Sequence, residues 1–227
     1  MAMFDTQALY DFDGRIETSR ACRVVGLDEA GRGPLAGPVV AAAVMLDLCK
    51  PIQGIFDSKR VAPRKRETLY EQITTQASAW ALGEASVEEI EKLNILQASL
   101  LAMRRALDKI SLPWSLALVD GNQAMSGLTP GCQCTVVKGD ATSASIAAAS
   151  ILAKVSRDRT MALYDSEFPD YGFGVHKGYG TALHIEKIRA HGPCRIHRKG
   201  FCESFLEPNV LNLCVNGTDN RRSKATA

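Results

Sequence analysis

Two adjacent carboxylates, Asp28 and Glu29, are the residues whose types and spacing point most clearly to chemistry. They follow the apolar residues 24–27 and precede a loop with an arginine between two glycines, Gly31-Arg32-Gly33. Adjacent acids at the end of an apolar run are costly unless a cation neutralises them, and oxygen ligands suit Mg²⁺ or Mn²⁺. Backbone N–H groups and a guanidinium beside such a metal can bind a phosphate. The motif therefore favours phosphodiester chemistry.

Other interpretations of this motif are weaker. Adjacent acids are common on solvated surfaces, and Gly31-x-Gly33-x-x-Ala36 satisfies a loose dinucleotide-binding fingerprint. That fingerprint needs a helix at this point and an acid about 20 residues later. Residues 38–46 instead resemble a second strand, so the glycines join two strands of a hairpin. The sequence also lacks the Gly-Lys-Ser/Thr of a nucleotide-binding P-loop.

Two further acids lie where the first pair needs partners. Asp120 ends a predicted strand, and Asp140 follows the next strand just before an apolar helix. Acids at strand ends can converge on one edge of a sheet, where they repel one another until cations bind. Each aspartate alone is better explained as a turn residue. Together with Asp28 and Glu29, they predict a four-carboxylate metal site.

Composition limits the class of protein. The 227 residues are 46% hydrophobic and carry a net charge of +2, which is ordinary for one α/β domain, so nucleic-acid affinity must come from local patches. The basic residues between positions 59 and 66 form such a patch, although a solvated helix start explains them equally well. No apolar run or leader pattern indicates a membrane segment, so we expect a soluble cytoplasmic protein.

The cysteines indicate neither a disulfide framework nor a strong metal site. Seven cysteines without regular spacing favour reduced thiols. A zinc site built from His191, Cys194, His197 and Cys202 is a weak alternative because its spacings are irregular.

Hydrophobic periodicity predicts alternating strands and helices. We expect residues 1–22 to be an N-terminal extension, 23–208 a catalytic domain with a C-terminal helical segment, and 209–227 a flexible tail. The predicted elements are a hairpin at 23–46, a helix from Pro63, a strand at 78–86, a helix at 87–110 broken near Asn94, strands at 115–119 and 132–137, a buried helix from Ser143, a glycine- and aromatic-rich loop at 170–180 and a helix at 181–190.

The ordered motifs of this chain resemble those of bacterial ribonuclease HII, the type 2 ribonuclease H family. The resemblance covers about residues 23 to 206. The motifs that carry it are Asp28-Glu29-Ala30-Gly31-Arg32-Gly33-Pro34, Asp57-Ser58-Lys59, Leu93-Asn94-Ile95-Leu96, Val119-Asp120-Gly121-Asn122, Val136-Val137-Lys138-Gly139-Asp140, Ala148-Ala149-Ser150-Ile151-Leu152-Ala153-Lys154-Val155 and His176-Lys177-Gly178-Tyr179.

The resemblance implies a ribonuclease H-like mixed sheet flanked by helices. By resemblance, Asp28, Glu29, Asp120 and Asp140 form the acidic quartet that holds Mg²⁺ or Mn²⁺. It likewise implies that Gly31, Arg32 and Gly33 read the substrate junction and that Tyr179 senses it. As part of the basic patch, Lys59 is expected to contribute to substrate binding.

The implied enzyme cuts the RNA strand of RNA–DNA hybrids and cuts 5′ of single ribonucleotides in duplex DNA. Two metal ions would activate a water and stabilise the departing 3′-oxygen, which leaves 5′-phosphate and 3′-hydroxyl ends. The 2′-hydroxyl marks the ribonucleotide. We expect a monomer and name no protein partner.

Two alternatives to this function stay open at the sequence level. Ribonuclease HIII resembles the catalytic half, but that family normally carries an additional N-terminal domain, and only about 20 residues precede the first strand here. A non-catalytic nucleic-acid-binding module would gain by losing the four acids. Asp158 is left out of the metal site, because an i,i+4 ion pair with Lys154 explains it.

Overall fold

The computed structural model describes residues 6–20 and 23–206. Five strands and eight α-helices alternate along these residues. The strands are β1 (Val24–Ala30), β2 (Val39–Met45), β3 (Ala79–Ala85), β4 (Leu116–Asp120) and β5 (Gln133–Val136). The helices are α1 (Thr6–Arg20), α2 (Pro63–Gln76), α3 (Val87–Leu93), α4 (Ile95–Leu107), α5 (Ala144–Glu167), α6 (Phe173–His176), α7 (Ala182–His191) and α8 (Lys199–Cys202), with 3₁₀ turns at Gly139–Ala141, Pro169–Tyr171 and Glu203–Phe205.

The strands form one mixed sheet in the order β3-β2-β1-β4-β5. β1 pairs antiparallel with β2 and parallel with β4, and β4 pairs parallel with β5. The register places Leu27 opposite Val119. The residues that follow them, Asp28 and Asp120, therefore lie side by side at the same ends of two adjacent strands.

Helices cover both faces of the sheet. α1, α2 and α5 pack on one face and α4 on the other, and the two cores are filled by aliphatic and small side chains. The first half of α5 is almost completely buried. Gly26 in β1 allows this, because a Cβ there would lie 2.2 Å from the Ser145 carbonyl carbon. The small residues of α5 thus bring its N-terminal half directly against the strand that carries Asp28.

The predicted fold class is confirmed, and so are the predicted hairpin, strands and central helices. The break near Asn94 is also confirmed, because Asn94 ends α3 with a φ of 69° and its side chain caps α4. Five described cysteines are free thiols, as expected. The predicted flexible tail at 209–227 lies outside the described residues, and the domain boundaries stay predictions.

The character of the N-terminal segment was not predicted. The polar sequence predicts an N-terminal extension over residues 1–22, whereas residues 6–20 form α1. Leu9 and Tyr10 of α1 are buried, and the Tyr10 hydroxyl accepts a hydrogen bond from the Ile52 N–H. The buried Asp13 carboxylate accepts one from the Ser145 N–H at the start of α5. These contacts with distant parts of the chain hold α1 in place despite its polar sequence.

Candidate active site

Asp28 and Asp120 lie on the same face of the sheet, the face covered by α5. Asp28 is 5% exposed, and its carboxylate accepts a hydrogen bond of 2.7 Å from the Glu29 N–H. Burial, followed by the charges of Glu29 and Asp120, raises the pKa of Asp28 well above its ordinary value. The Asp120 carboxylate accepts a hydrogen bond of 2.7 Å from the Gly139 N–H, which ties the end of β4 to the turn before α5.

Glu29 lies at the end of the same strand beside the arginine of the glycine loop. Its carboxylate is 3.3 Å from the Arg32 guanidinium. Burial and the charge of Asp120 raise the pKa of Glu29, and the ion pair with Arg32 only partly offsets this. Arg32 itself is about half exposed and can contact a second anion from the solvent side.

Asp140 is half-buried in the 3₁₀ turn that precedes α5. Burial, then the charges of Asp57 and Asp120, raises the pKa of Asp140. Lys59 lies among these acids: burial opposes its charge, but the nearby carboxylates, Asp28 and Asp140 foremost, raise its pKa overall. The four predicted carboxylates therefore belong to one electrostatic cluster, with Lys59 beside it.

A cleft of about 380 Å³ opens above this cluster. Three of the four predicted acids, the three residues of the glycine loop, Lys59 and Tyr179 line it, whereas Asp140 is not part of the lining. Lys154 and Ser150 from α5 complete the wall. The structure thus brings nearly all of the predicted site residues to a single concave surface.

The glycine loop reaches this cleft because Gly31 adopts a backbone conformation that other residues rarely adopt. Its φ is +105°, and a Cβ there would lie 2.2 Å from Nε of the buried Arg157. Gly33 differs, because it has no such φ and a Cβ there would meet no atom within 4 Å. Gly31 serves the loop's packing, whereas Gly33 leaves its backbone open to the cleft.

Tyr179 follows two residues with left-handed backbone, Lys177 and Gly178. The residue is 40% exposed, and its ring centroid lies 5.6 Å from the Lys154 ammonium. The Tyr179 carbonyl accepts a hydrogen bond from the His184 ring, and its N–H donates to the His176 carbonyl. The backbone is therefore fixed while the ring faces solvent in the cleft.

The donor set fits a hard divalent cation. The acids offer only oxygen ligands, and at least one of them is a deeply buried carboxylate whose ionised form a cation would stabilise. Within residues 6–20 and 23–206, no three acidic, histidine or cysteine side chains lie close enough to form a complete ion cage. Among the four residues of the alternative zinc site, the His197 ring contacts the Cys194 thiol. The other nitrogen of this ring contacts His184, which is not one of the four.

Sequence reasoning did not identify several residues that shape the site. Ser150 and Lys154 line the cleft, and Asp57 faces Asp140. All three residues lie in motifs that carry the family resemblance, but the sequence assigns no separate role to any of them. The predicted pair of Lys154 with Asp158 is confirmed at 2.7 Å. Within the basic patch, Arg66 stabilises the loop before α2, since it donates hydrogen bonds to the carbonyls of Ser58 and Val61.

Comparisons of the sequence with known proteins all lead to one family. A sequence model of the family described as ribonuclease HII matches residues 25–204. The ribonuclease HII of Albidiferax ferrireducens is 56% identical over 178 residues, which cover 78% of this chain and 85% of the relative. That of Burkholderia cenocepacia is 50% identical over 196 residues, or 86% of this chain and 91% of the relative.

A solved structure shares the fold. Ribonuclease H2 from Pyrococcus horikoshii superposes with a TM-score of 0.64 at 24% identity, over 81% of this chain and 96% of that protein.

No helix of residues 6–20 and 23–206 could span a bilayer; even the 24 residues of α5 lack the required apolar stretch.

Proposed function

The chain belongs to the ribonuclease HII family and is a ribonuclease H that acts on RNA–DNA hybrids, and we propose that it also cuts duplex DNA on the 5′ side of a single embedded ribonucleotide. The single observation that carries this proposal is the cleft in which the glycine loop and the Tyr179 ring lie beside the carboxylates Asp28, Glu29 and Asp120. Recognition of one ribose and hydrolysis of the adjacent phosphodiester require these two kinds of group side by side.

The catalytic step is assigned to the four carboxylates. Asp28, Glu29, Asp120 and Asp140 would hold Mg²⁺ or Mn²⁺. When bound, these ions supply the charge that activates a water and that stabilises the leaving 3′-oxygen. Asp28 is buried, and the hydrogen bond from the Glu29 N–H at 2.7 Å holds its carboxylate in one orientation. The Gly139 N–H does the same for Asp120.

Substrate recognition is assigned to the loop and the tyrosine. The 2′-hydroxyl is the group that distinguishes a ribonucleotide from its DNA neighbours. The exposed backbone at Gly33 can approach the nucleic-acid backbone without a side chain in the way, and Arg32 can bind a phosphate while its other side contacts Glu29. The Tyr179 ring offers a flat surface to the sugar at the junction. Lys59 adds positive charge beside the scissile phosphate.

Three labelled duplexes of one sequence test this proposal. One is an RNA–DNA hybrid, one is DNA with a single ribonucleotide, and one is DNA alone. We expect cleavage of the first two in Mg²⁺ or Mn²⁺, no cleavage of DNA, and no cleavage in EDTA. The cut in the second duplex should lie 5′ of the ribonucleotide and leave 5′-phosphate and 3′-hydroxyl ends. Cleavage of the hybrid alone would overturn the proposed ribonucleotide excision, and cleavage in EDTA would overturn the metal dependence.

A further inference from the structure

Arg198 is a fully buried arginine with an unusual set of partners. It lies at the start of α8, more than 150 residues after the glycine loop, and is 0% exposed. Its guanidinium donates only to main-chain carbonyls, and all of its acceptors lie in residues 31–38. They are the carbonyls of Gly31 at 2.6 Å, Gly37 at 2.8 Å, Pro34 at 2.9 Å, Arg32 at 3.0 Å and Pro38 at 3.3 Å.

Arg157 of α5 is a second buried arginine on the same segment, also 0% exposed. It donates to the carbonyls of Ala36 at 2.9 Å and Pro38 at 3.0 Å. Its third bond, at 3.0 Å, reaches the carbonyl of Lys177, two residues before Tyr179. One guanidinium therefore connects the glycine loop to the segment that carries the proposed junction sensor.

Neither guanidinium forms an ion pair within the described part of the chain. Burial, then the charge of Arg157, lowers the pKa of Arg198 to about 9. Burial likewise lowers the pKa of Arg157. A buried charge without an ion partner costs free energy unless polar groups stabilise it. The carbonyls that accept its hydrogen bonds must therefore be held firmly in place. A loop that had only to turn between β1 and β2 would not need two such charges.

The direction of the carbonyls determines what the loop presents to the cleft. In a planar trans peptide the C=O and the following N–H point in opposite directions. Since the carbonyls of Gly31 and Arg32 point at Arg198, the N–H groups of Arg32 and Gly33 point away from it. These residues line the cleft. The buried charges thus orient backbone donors toward the position of an anionic substrate.

We propose that Arg198 and Arg157 are positioning residues for substrate recognition: they hold residues 31–38 and 177–179 in one preformed surface that reads the ribonucleotide junction. This inference rests on the proposed function for its substrate. It predicts that the planar guanidinium is needed as well as its positive charge. A lysine ammonium in place of Arg198 has only three donors and cannot bond five carbonyls.

The test compares Arg198→Lys and Arg157→Lys with Arg195→Lys. Arg195 is a matched control, because it lies three residues from Arg198 but is exposed and pairs with Glu167 on the surface. Two measurements are made on each full-length protein. One is hydrogen exchange at the Leu35 and Gly37 amides, which donate to the Gly178 and Ile196 carbonyls. The other is the ratio of affinities for the single-ribonucleotide duplex and the DNA duplex, measured in Ca²⁺.

We expect Arg198→Lys and Arg157→Lys to speed exchange at these two amides by about tenfold or more, the scale of losing a charged hydrogen bond. We also expect the affinity ratio to fall by about tenfold in both, with no change in either quantity in Arg195→Lys. A purely structural role would lower stability without changing the ratio in the folded protein. A wild-type affinity ratio in both lysine variants would overturn the inference, whether or not their exchange is faster.

Two outcomes separate this inference from the proposed function. If the wild-type protein does not distinguish the two duplexes, the proposed function fails, and the exchange result alone decides whether the arginines hold the loop. If neither lysine variant folds, exchange in the wild-type protein decides. The Leu35 and Gly37 amides must then exchange as slowly as those of β1 and β2, and exchange at the rate of an open turn would overturn the inference.

Discussion

Replacing Gly31 with alanine should destabilise the protein strongly, whereas the same change at Gly33 should not. The two glycines lie two residues apart in one loop, which makes Gly33→Ala a matched control. Gly31 has a φ of +105°, and an added Cβ would lie 2.2 Å from Nε and 2.6 Å from Cδ of Arg157, and 2.8 Å from the Pro38 carbonyl oxygen. At Gly33 the added methyl group would meet nothing within 4 Å.

The magnitude follows from two costs. Forcing a non-glycine residue into this region of backbone space costs about 1–3 kcal/mol. Overpacking against a buried side chain costs about 1–3 kcal/mol more, because Arg157 is held by three carbonyls and cannot move freely. The sum is about 2–6 kcal/mol for Gly31→Ala. Surface changes such as Gly33→Ala stay within about 0.5 kcal/mol.

Denaturant and thermal unfolding of the metal-free protein, followed by circular dichroism, measure these differences. For a chain of this size, each 1 kcal/mol lowers the melting temperature by about 2–4 °C, so Gly31→Ala should melt at least about 4 °C below the wild-type protein. The reasoning would be refuted if Gly31→Ala unfolded like the wild-type protein, or if Gly33→Ala lost as much stability as Gly31→Ala.

Three further predictions concern the site and the histidines near it. Tyr179→Ala should reduce cleavage of a single embedded ribonucleotide more than it weakens binding to plain duplex DNA, because the ring is proposed to contact the junction while basic residues supply the non-specific affinity; equal losses in the two assays would make Tyr179 a general binding or packing residue. Asp28→Asn should raise the melting temperature of the metal-free protein, because it removes one of several clustered carboxylates that repel one another; a lower melting temperature than wild type would contradict this. Burial, then the charge of His176, lowers the pKa of His184 to about 4, so its neutral form stabilises the fold above about pH 6.5 and this contribution is lost as pH falls towards 4. The difference in unfolding free energy between the wild-type protein and His184→Gln should therefore become smaller from pH 7 to pH 5. A difference that stays constant would count against a buried neutral histidine at this position.

Much of the fold could be predicted because its signals are local. The apolar run of β2, Pro63 at the start of α2 and the break at Asn94 each reflect neighbouring residues, and the structure agrees with them. α1 could not be predicted in the same way. Its sequence is polar on average, and it is held by contacts of Tyr10 and Asp13 with residues far away in the chain.

The same distinction between local signals and contacts of distant residues applies to the candidate site. The acids and glycines could be named because their spacing and their places at strand ends carry a chemical meaning, and the structure gathers them at one cleft, with Asp140 just beyond its lining. The roles of Arg157 and Arg198 could not be found. A lone arginine in a helix is usually a surface residue, and its burial depends on carbonyls that converge on it only after folding.

Cleavage by Asp120→Asn, with Asp108→Asn as a control, tests the central claim most directly. Asp108 is an exposed aspartate paired with Arg104 on α4, so its amide should leave activity unchanged. The measurement is the single-turnover rate on a duplex with one ribonucleotide in Mg²⁺, together with binding of the same duplex. We predict a loss of at least about 100-fold for Asp120→Asn, the scale of removing one electrostatic group from an active site, with binding largely retained. Substantial cleavage by Asp120→Asn would contradict the assignment of these carboxylates as the metal site.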